Sequence, residues 1–128
     1  IGQKRSTVAQ IVKTLEDNDS VLVTPSFYLK LLALEGSGPV VGQCVVCRNA
    51  DIVAFSNEEG GVMCETHRTG IPISTPAVEL LRYILGGHLG KALNEKESRA
   101  TQEIEKIARE ALEYFLERRM RTTTLLDT

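Results

Sequence analysis

The feature that most restricts what this chain can fold into is the run Cys44 to His67, "CVVCRNADIVAFSNEEGGVMCETH", which holds all three cysteines and one of the two histidines. The spacing is Cys44-x2-Cys47, then sixteen residues, then Cys64-x2-His67. Two ligand pairs separated by a short hairpin-forming loop match the zinc-ribbon arrangement, in which each pair sits on its own tight turn and the turns face each other. Three thiolates and one imidazole complete a tetrahedron around one zinc ion. A closed four-ligand shell leaves no position for water or substrate, so the predicted role of the ion is structural.

Other uses of the same residues weigh less. A redox Cys-x2-Cys pair ordinarily opens a helix that depresses one thiol, whereas Cys47 runs into "RNADIV", a poor helical start. Free cysteines also pack well as small hydrophobes. Three cysteines cannot all pair within one chain, which argues against a disulfide framework. The second histidine, His88, is well removed in sequence from the second turn, so His67 is the expected fourth ligand.

The flanks read as helices. Residues 6–16 carry Val8, Ile11, Val12 and Leu15 at one-faced helical spacing, with Ser6 or Thr7 as cap. In "TPSFYLKLLALEGSGP", Thr24 is the expected cap, Pro25 the first helical residue and Gly36 the left-handed terminus. Phe27, Leu29, Leu31, Leu32 and Leu34 surround that helix with apolar side chains, the mark of a central helix. "ISTPAVELLRYILGG" repeats the logic, with Thr75 as cap, Pro76 in the first turn, Ala77, Leu80, Leu81 and Ile84 on one face and Gly86-Gly87 as the stop. "HLGKALNEKE" reads as a polar connection pinned by Leu89 and Leu93. Residues 98–120 form a long helical pattern with Ile104, Ile107, Ala108, Ala111 and Phe115 inward, and with Glu105–Arg109 and Lys106–Glu110 as charge pairs on the wet face.

The predicted fold class is mainly α: a small helical domain, residues 1–36 and 71–128, with an inserted two-stranded zinc ribbon, residues 37–70. The β-prone runs "DIVAFS" and "GVMC" supply the strands, and Gly60-Gly61 the hairpin turn. The chain begins with isoleucine rather than methionine, so it is expected to be a piece of a longer or processed protein.

Composition excludes more than it selects. Hydrophobic content of 42% and charged content of 25% are ordinary for a globular protein. No window approaches the ~18–20 apolar residues of a membrane span, and no signal peptide opens the chain, so the cytoplasm is the expected location. The net charge of −2 argues against nucleic-acid binding through the overall field. Within the ribbon, Asp51, Glu58, Glu59 and Glu65 outnumber Arg48 and Arg68, which favours a protein neighbour over phosphate. There is no phosphate-binding loop, nucleophile elbow or dinucleotide fingerprint, and Glu58-Glu59 reads as a solvated turn, so no enzymatic role is expected. The positive cluster is Arg118, Arg119 and Arg121. Its expected place at a helix C-terminus suits the dipole as well as it suits a phosphate contact.

The order of the parts carries a resemblance. "FYLKLLALEGSGP", a cysteine pair, "FSNEEGGVMC", "GIPISTPAVELLRYIL" and "ALEYFLERRMRTTTLL", from about Phe27 to Leu126, look like the C-terminal portion of the RecO family of bacterial DNA repair and recombination mediators. The resemblance implies a helical domain with an inserted zinc ribbon, and an upstream OB-fold domain that carries much of the DNA binding. It implies work with a RecR-like protein and with single-stranded DNA-binding protein to load RecA on single strands and to anneal complementary strands, without turnover chemistry, at the nucleoid during repair.

Two departures stand out. His67 occupies a position that is commonly cysteine in the family, which changes a dianionic site into a monoanionic one. Thr122, Thr123 and Thr124 stand where the family's last helix often carries further basic residues, which weakens the expectation of a C-terminal DNA contact at Arg118, Arg119 and Arg121. The rival readings are a protein-interaction zinc module unrelated to DNA metabolism and, less favoured, a thiol redox enzyme.

Overall fold

A computed structural model describes the backbone of residues 20–127 and the side chains of residues 20–121. The helix expected over residues 6–16 lies outside the described residues. In chain order the elements are α1 (Val23–Leu34), β1 (Ala54–Ser56), β2 (Gly61–Met63), β3 (Ile71–Pro72), α2 (Thr75–Leu85), α3 (Leu89–Leu93) and α4 (Arg99–Asp127). The expected class, mainly α with a small sheet, is the one observed.

α1 starts earlier than its cap signal implied. Leu22 is the N-cap and has no side-chain capping bond; Thr24 is already helical. The entry is set instead by Ser20, whose Oγ accepts the Leu22 N–H at 3.1 Å, and by complete burial of Leu22. The end matches expectation and can be resolved bond by bond. Gly36 sits at φ 79°, its N–H donates to the Ala33 carbonyl, and the Ser37 N–H reaches back to Leu32 at 2.8 Å. These two bonds form a Schellman motif, which satisfies carbonyls the helix would otherwise leave open.

α2 is capped one residue upstream of the expected Thr75. Ser74 is extended, and its Oγ accepts the Ala77 N–H. Ser74 takes the position because Glu103 of α4 accepts both its N–H at 2.9 Å and its hydroxyl at 2.6 Å. The helix ends at Gly86, and the His88 N–H donates to Tyr83 at 2.9 Å. The connection beyond is partly helical rather than merely polar, because Ala92 and Leu93 are buried on the single-turn α3.

α4 opens with a reciprocal cap. The Ser98 N–H donates to Thr101 Oγ1 at 2.8 Å, and the Thr101 N–H donates to Ser98 Oγ at 3.4 Å. Ile104, Ile107, Ala108 and Ala111 are buried as predicted, and Phe115 is half-buried. The helix runs through Asp127 instead of stopping near residue 120, since neither glycine nor proline interrupts "RTTTLLD". An i,i+4 pair on its surface joins Glu117 and Arg121, at 2.8 Å.

The sheet has three strands rather than two, in the order β2-β1-β3, with both pairings antiparallel. Phe55 stands opposite Val62 on one side and Ile71 on the other. Gly70, at φ 84°, turns the chain back to form the third strand; a side chain there would overlap the Phe55 carbonyl. Pro72 is tolerated because β3 is an edge strand. Along the opposite edge, Val40 bridges Gly61 in parallel sense, so close that a Cβ on Gly61 would overlap the Val40 backbone.

The sheet and helices share one core. Phe55, Val62 and Ile73 belong to the same apolar cluster as Leu29 of α1, Leu81 and Ile84 of α2, and Ile104 and Ile107 of α4. α1 packs against both α2 and α4. The ribbon therefore rests on the helices through apolar contact as well as through its chain connections.

Candidate metal centre

The first cysteine turn is built by backbone bonds. The Arg48 N–H donates to the Cys44 carbonyl at 2.9 Å, and the Cys44 N–H donates to Asn49 at 2.8 Å. This tight return puts Arg48 at φ 66°, a left-handed conformation that costs an L-residue with a Cβ about 1–2 kcal/mol. The Val45 N–H donates to the Val62 carbonyl at 3.0 Å, which ties the turn to β2. The second turn follows β2 directly, so Cys64 leaves the sheet at a fixed place and His67 folds back over it.

The four expected ligands meet. The candidate ligand atoms of Cys44, Cys47, Cys64 and His67 all lie within 4.8 Å of one another. Cys47 Sγ is 3.5 Å from Cys64 Sγ, and Cys64 Sγ is 3.3 Å from His67 Nδ1. A tetrahedron with metal–sulfur bonds of ~2.3 Å has edges of roughly 3.8 Å, so modest closure or opening would seat an ion among these atoms. The cluster thus fits zinc binding in donor type, number and spacing. His88 takes no part; its ring packs edge-on against Tyr83 at the start of α3.

The environment readies one thiol in particular. Burial pushes Cys44 up, but N–H groups of Cys47, Cys64 and Val46, with the Cys64 thiol, overcome it and hold Cys44 down to about 6. At Cys47 the Asn49 N–H favours the thiolate, yet Cys64, burial and the neighbouring Cys44 together push that thiol above its ordinary value. A readily ionised Cys44 beside a reluctant Cys47 is the pattern a cation resolves, because it stabilises both thiolates together.

Arg82 belongs to no side-chain motif, yet it is part of the site's frame. From α2 it donates Nε to the Val41 carbonyl at 3.0 Å and a terminal nitrogen to Gly42 at 3.1 Å. It thereby holds the segment leading into Cys44. The available signal is one arginine between Leu81 and Tyr83, in a helix whose other charged residue is Glu79.

The arginine cluster lies apart from the metal ligands. Because α4 continues to Asp127, Arg118, Arg119 and Arg121 are not at its C-terminus as expected, and the dipole argument, confined to the last turn, does not apply. Arg118 lies 5.6 Å from the centre of the Tyr114 ring and Arg119 5.5 Å from that of Phe115. Both arginines line a groove of about 780 Å³ between α4, the end of α1 and the hairpin tip, with Leu32 and Phe55 among its apolar walls and Glu35 and Glu58 among its acids. Glu58 and Glu59 are exposed, and the Glu59 N–H donates to Ser56 Oγ in the hairpin turn.

Comparison with known proteins agrees with this architecture. The family model described as Recombination protein O C terminal matches residues 7–124. A DNA repair protein RecO of Dehalococcoides mccartyi is 32% identical over 129 residues, covering 92% of this chain and 51% of the relative. Those of Desulforamulus reducens and Bifidobacterium longum are each 31% identical, covering 85% and 80% of this chain and 46% and 43% of their own. The chain spans about half the length of the curated relatives it matches. No solved structure matches. Among the described residues no helix is long and apolar enough to cross a membrane. A match over nearly the whole chain, joined to a helical body that carries a clustered Cys3His ribbon, places this chain in the RecO family, in the part that corresponds to the C-terminal region of recombination protein O.

Proposed function

We propose that this chain is the zinc-stabilised, partner-binding module of a recombination mediator. In that reading the intact protein helps load RecA onto single strands coated by single-stranded DNA-binding protein, acts with a RecR-like protein, promotes strand annealing and catalyses no turnover reaction. It does so in the bacterial cytoplasm, at the nucleoid during repair. The observation that carries the proposal is membership of the RecO family over residues 7–124.

Cys44, Cys47, Cys64 and His67 hold one structural zinc ion, which contributes folding energy directly. The ribbon, expected over residues 37–70, takes in β3 through Pro72, and the helices on either side form the helical part. An OB-fold domain upstream supplies most of the DNA affinity. Arg118, Arg119 and Arg121 are a secondary phosphate contact, supported by their place along one exposed stretch of a single helix. The ribbon meets protein, in keeping with its excess of Asp51, Glu58, Glu59 and Glu65 over Arg48 and Arg68.

The deciding experiment is a fluorescence-anisotropy titration of zinc-loaded chain against labelled single-stranded DNA at low and moderate salt. Binding that weakens with salt, and whose salt slope falls by up to about one unit per lost contact in the triple alanine variant of Arg118, Arg119 and Arg121, supports the phosphate contact. An identical slope assigns DNA to the upstream domain and leaves partner docking to this module.

A further inference from the structure

The three thiols of the metal cluster are not equally protected. Cys44 and Cys64 are 1% and 2% exposed, whereas Cys47 is open to solvent. Cys47 Sγ also stands 3.5 Å from Cys64 Sγ. In the metal-loaded site every ligating sulfur is a thiolate, and the exposed one, Cys47, is placed to attack an oxidant with the Cys64 sulfur beside it to resolve the product.

We propose that Cys47 and Cys64 form a reversible oxidation switch, in which a hydroperoxide joins the two sulfurs and the ribbon gives up its metal ion. The Cys47 sulfur attacks the peroxide, the O–O bond breaks, and the leaving oxygen takes a proton to depart as alcohol or water. Cys47 is then a sulfenic acid. The Cys64 thiolate attacks that sulfur, the S–O bond breaks, and hydroxide leaves as water after taking a second proton. Two thiolates have lost two electrons in total, and the peroxide has gained them.

Half of the ligand set is gone at that point. Cys44 and His67 alone do not close a tetrahedron, so the ion leaves. The new bond still joins the two turns, which keeps the ribbon chain paired while its metal clamp is open. An excess of small thiol reverses the exchange and restores the site. The inference rests on the metal-binding reading above.

The test uses zinc-loaded protein, with metal content measured before oxidation. Hydrogen peroxide is added while a chromophoric chelator reports released ion and digestion with mass spectrometry maps cross-links. The expected result is one ion released per Cys47–Cys64 disulfide, with reuptake after dithiothreitol. The variant Cys47→His keeps four nitrogen and sulfur ligands without the accessible thiol, and its release is expected to slow at least roughly tenfold. A disulfide mapped to Cys44, release at the wild-type rate from Cys47→His, or a loaded site whose thiols and metal survive peroxide overturns the switch. Protein that holds no ion before oxidation overturns the metal reading itself, and the two failures are thereby distinct.

Discussion

The Nε of Arg82 donates to the carbonyl of Val41 across 3.0 Å, joining two residues 41 positions apart in the chain. With the second bond to Gly42, the guanidinium grips two successive carbonyls just ahead of Cys44. The helical body thus holds the ribbon's entry by a two-pronged clamp. Its exit is held by a different device, Glu103 on Ser74.

The clamp predicts a graded loss. Arg82→Ala removes both bonds of a half-buried charged donor and should cost about 2 kcal/mol, read from the denaturant midpoint. Arg82→Lys should recover little of it, because a compact ammonium lacks the planar fork that reaches both carbonyls. Full recovery by lysine would show that charge, not the fork, holds the entry.

Arg48 predicts a gain. Its left-handed backbone closes the first cysteine turn, and glycine adopts that conformation without the steric cost. Arg48→Gly should stabilise the metal-loaded protein by about 1 kcal/mol, offset in part by greater freedom of the unfolded chain. A lower melting temperature would mean that the arginine side chain contributes more than its backbone costs.

Ser26 predicts a second gain. It is fully buried in the first turns of α1, and its Oγ has no hydrogen-bond partner among the described residues. An unsatisfied buried hydroxyl costs about 1–3 kcal/mol, so Ser26→Ala should raise stability by about 1 kcal/mol. Thermal melts of the two proteins decide it; a destabilised alanine variant would mean that the hydroxyl is satisfied in solution.

These sites differ in how far the sequence announces them. The clustering of Cys44, Cys47, Cys64 and His67 is legible because each pair is local, with two residues between its members on one turn, and only hairpin closure is needed to bring the pairs together. Gly36 and Gly86-Gly87 are legible for the same reason, since a helix stop is made within six residues. The cap of α2 is misread by one residue because Glu103, 29 positions away, selects Ser74 over Thr75. β3 is missed because two residues have no periodicity to detect, and its pairing depends on the turn at Gly70. Arg82 escapes notice because its partners are backbone carbonyls, which no side-chain motif reveals.

Metal removal tests how deeply the ribbon is built into the fold. Phe55, Val62 and Ile73 pack in one cluster with Leu81, Ile84, Ile104 and Ile107, so loosening the cysteine turns also withdraws support from the helices. The Val45–Val62 hydrogen bond links the first turn to β2, giving that loss a direct route into the sheet. Chelation, or Cys44→Ser, should therefore lower the melting temperature substantially while helix signal and aromatic signal still fall together in one transition. Hydrogen exchange at the Val45 and Val62 amides should quicken first. Two separated transitions, with the helical one unmoved, would show instead that the ribbon melts as an independent unit and that the shared apolar cluster does not transmit the loss.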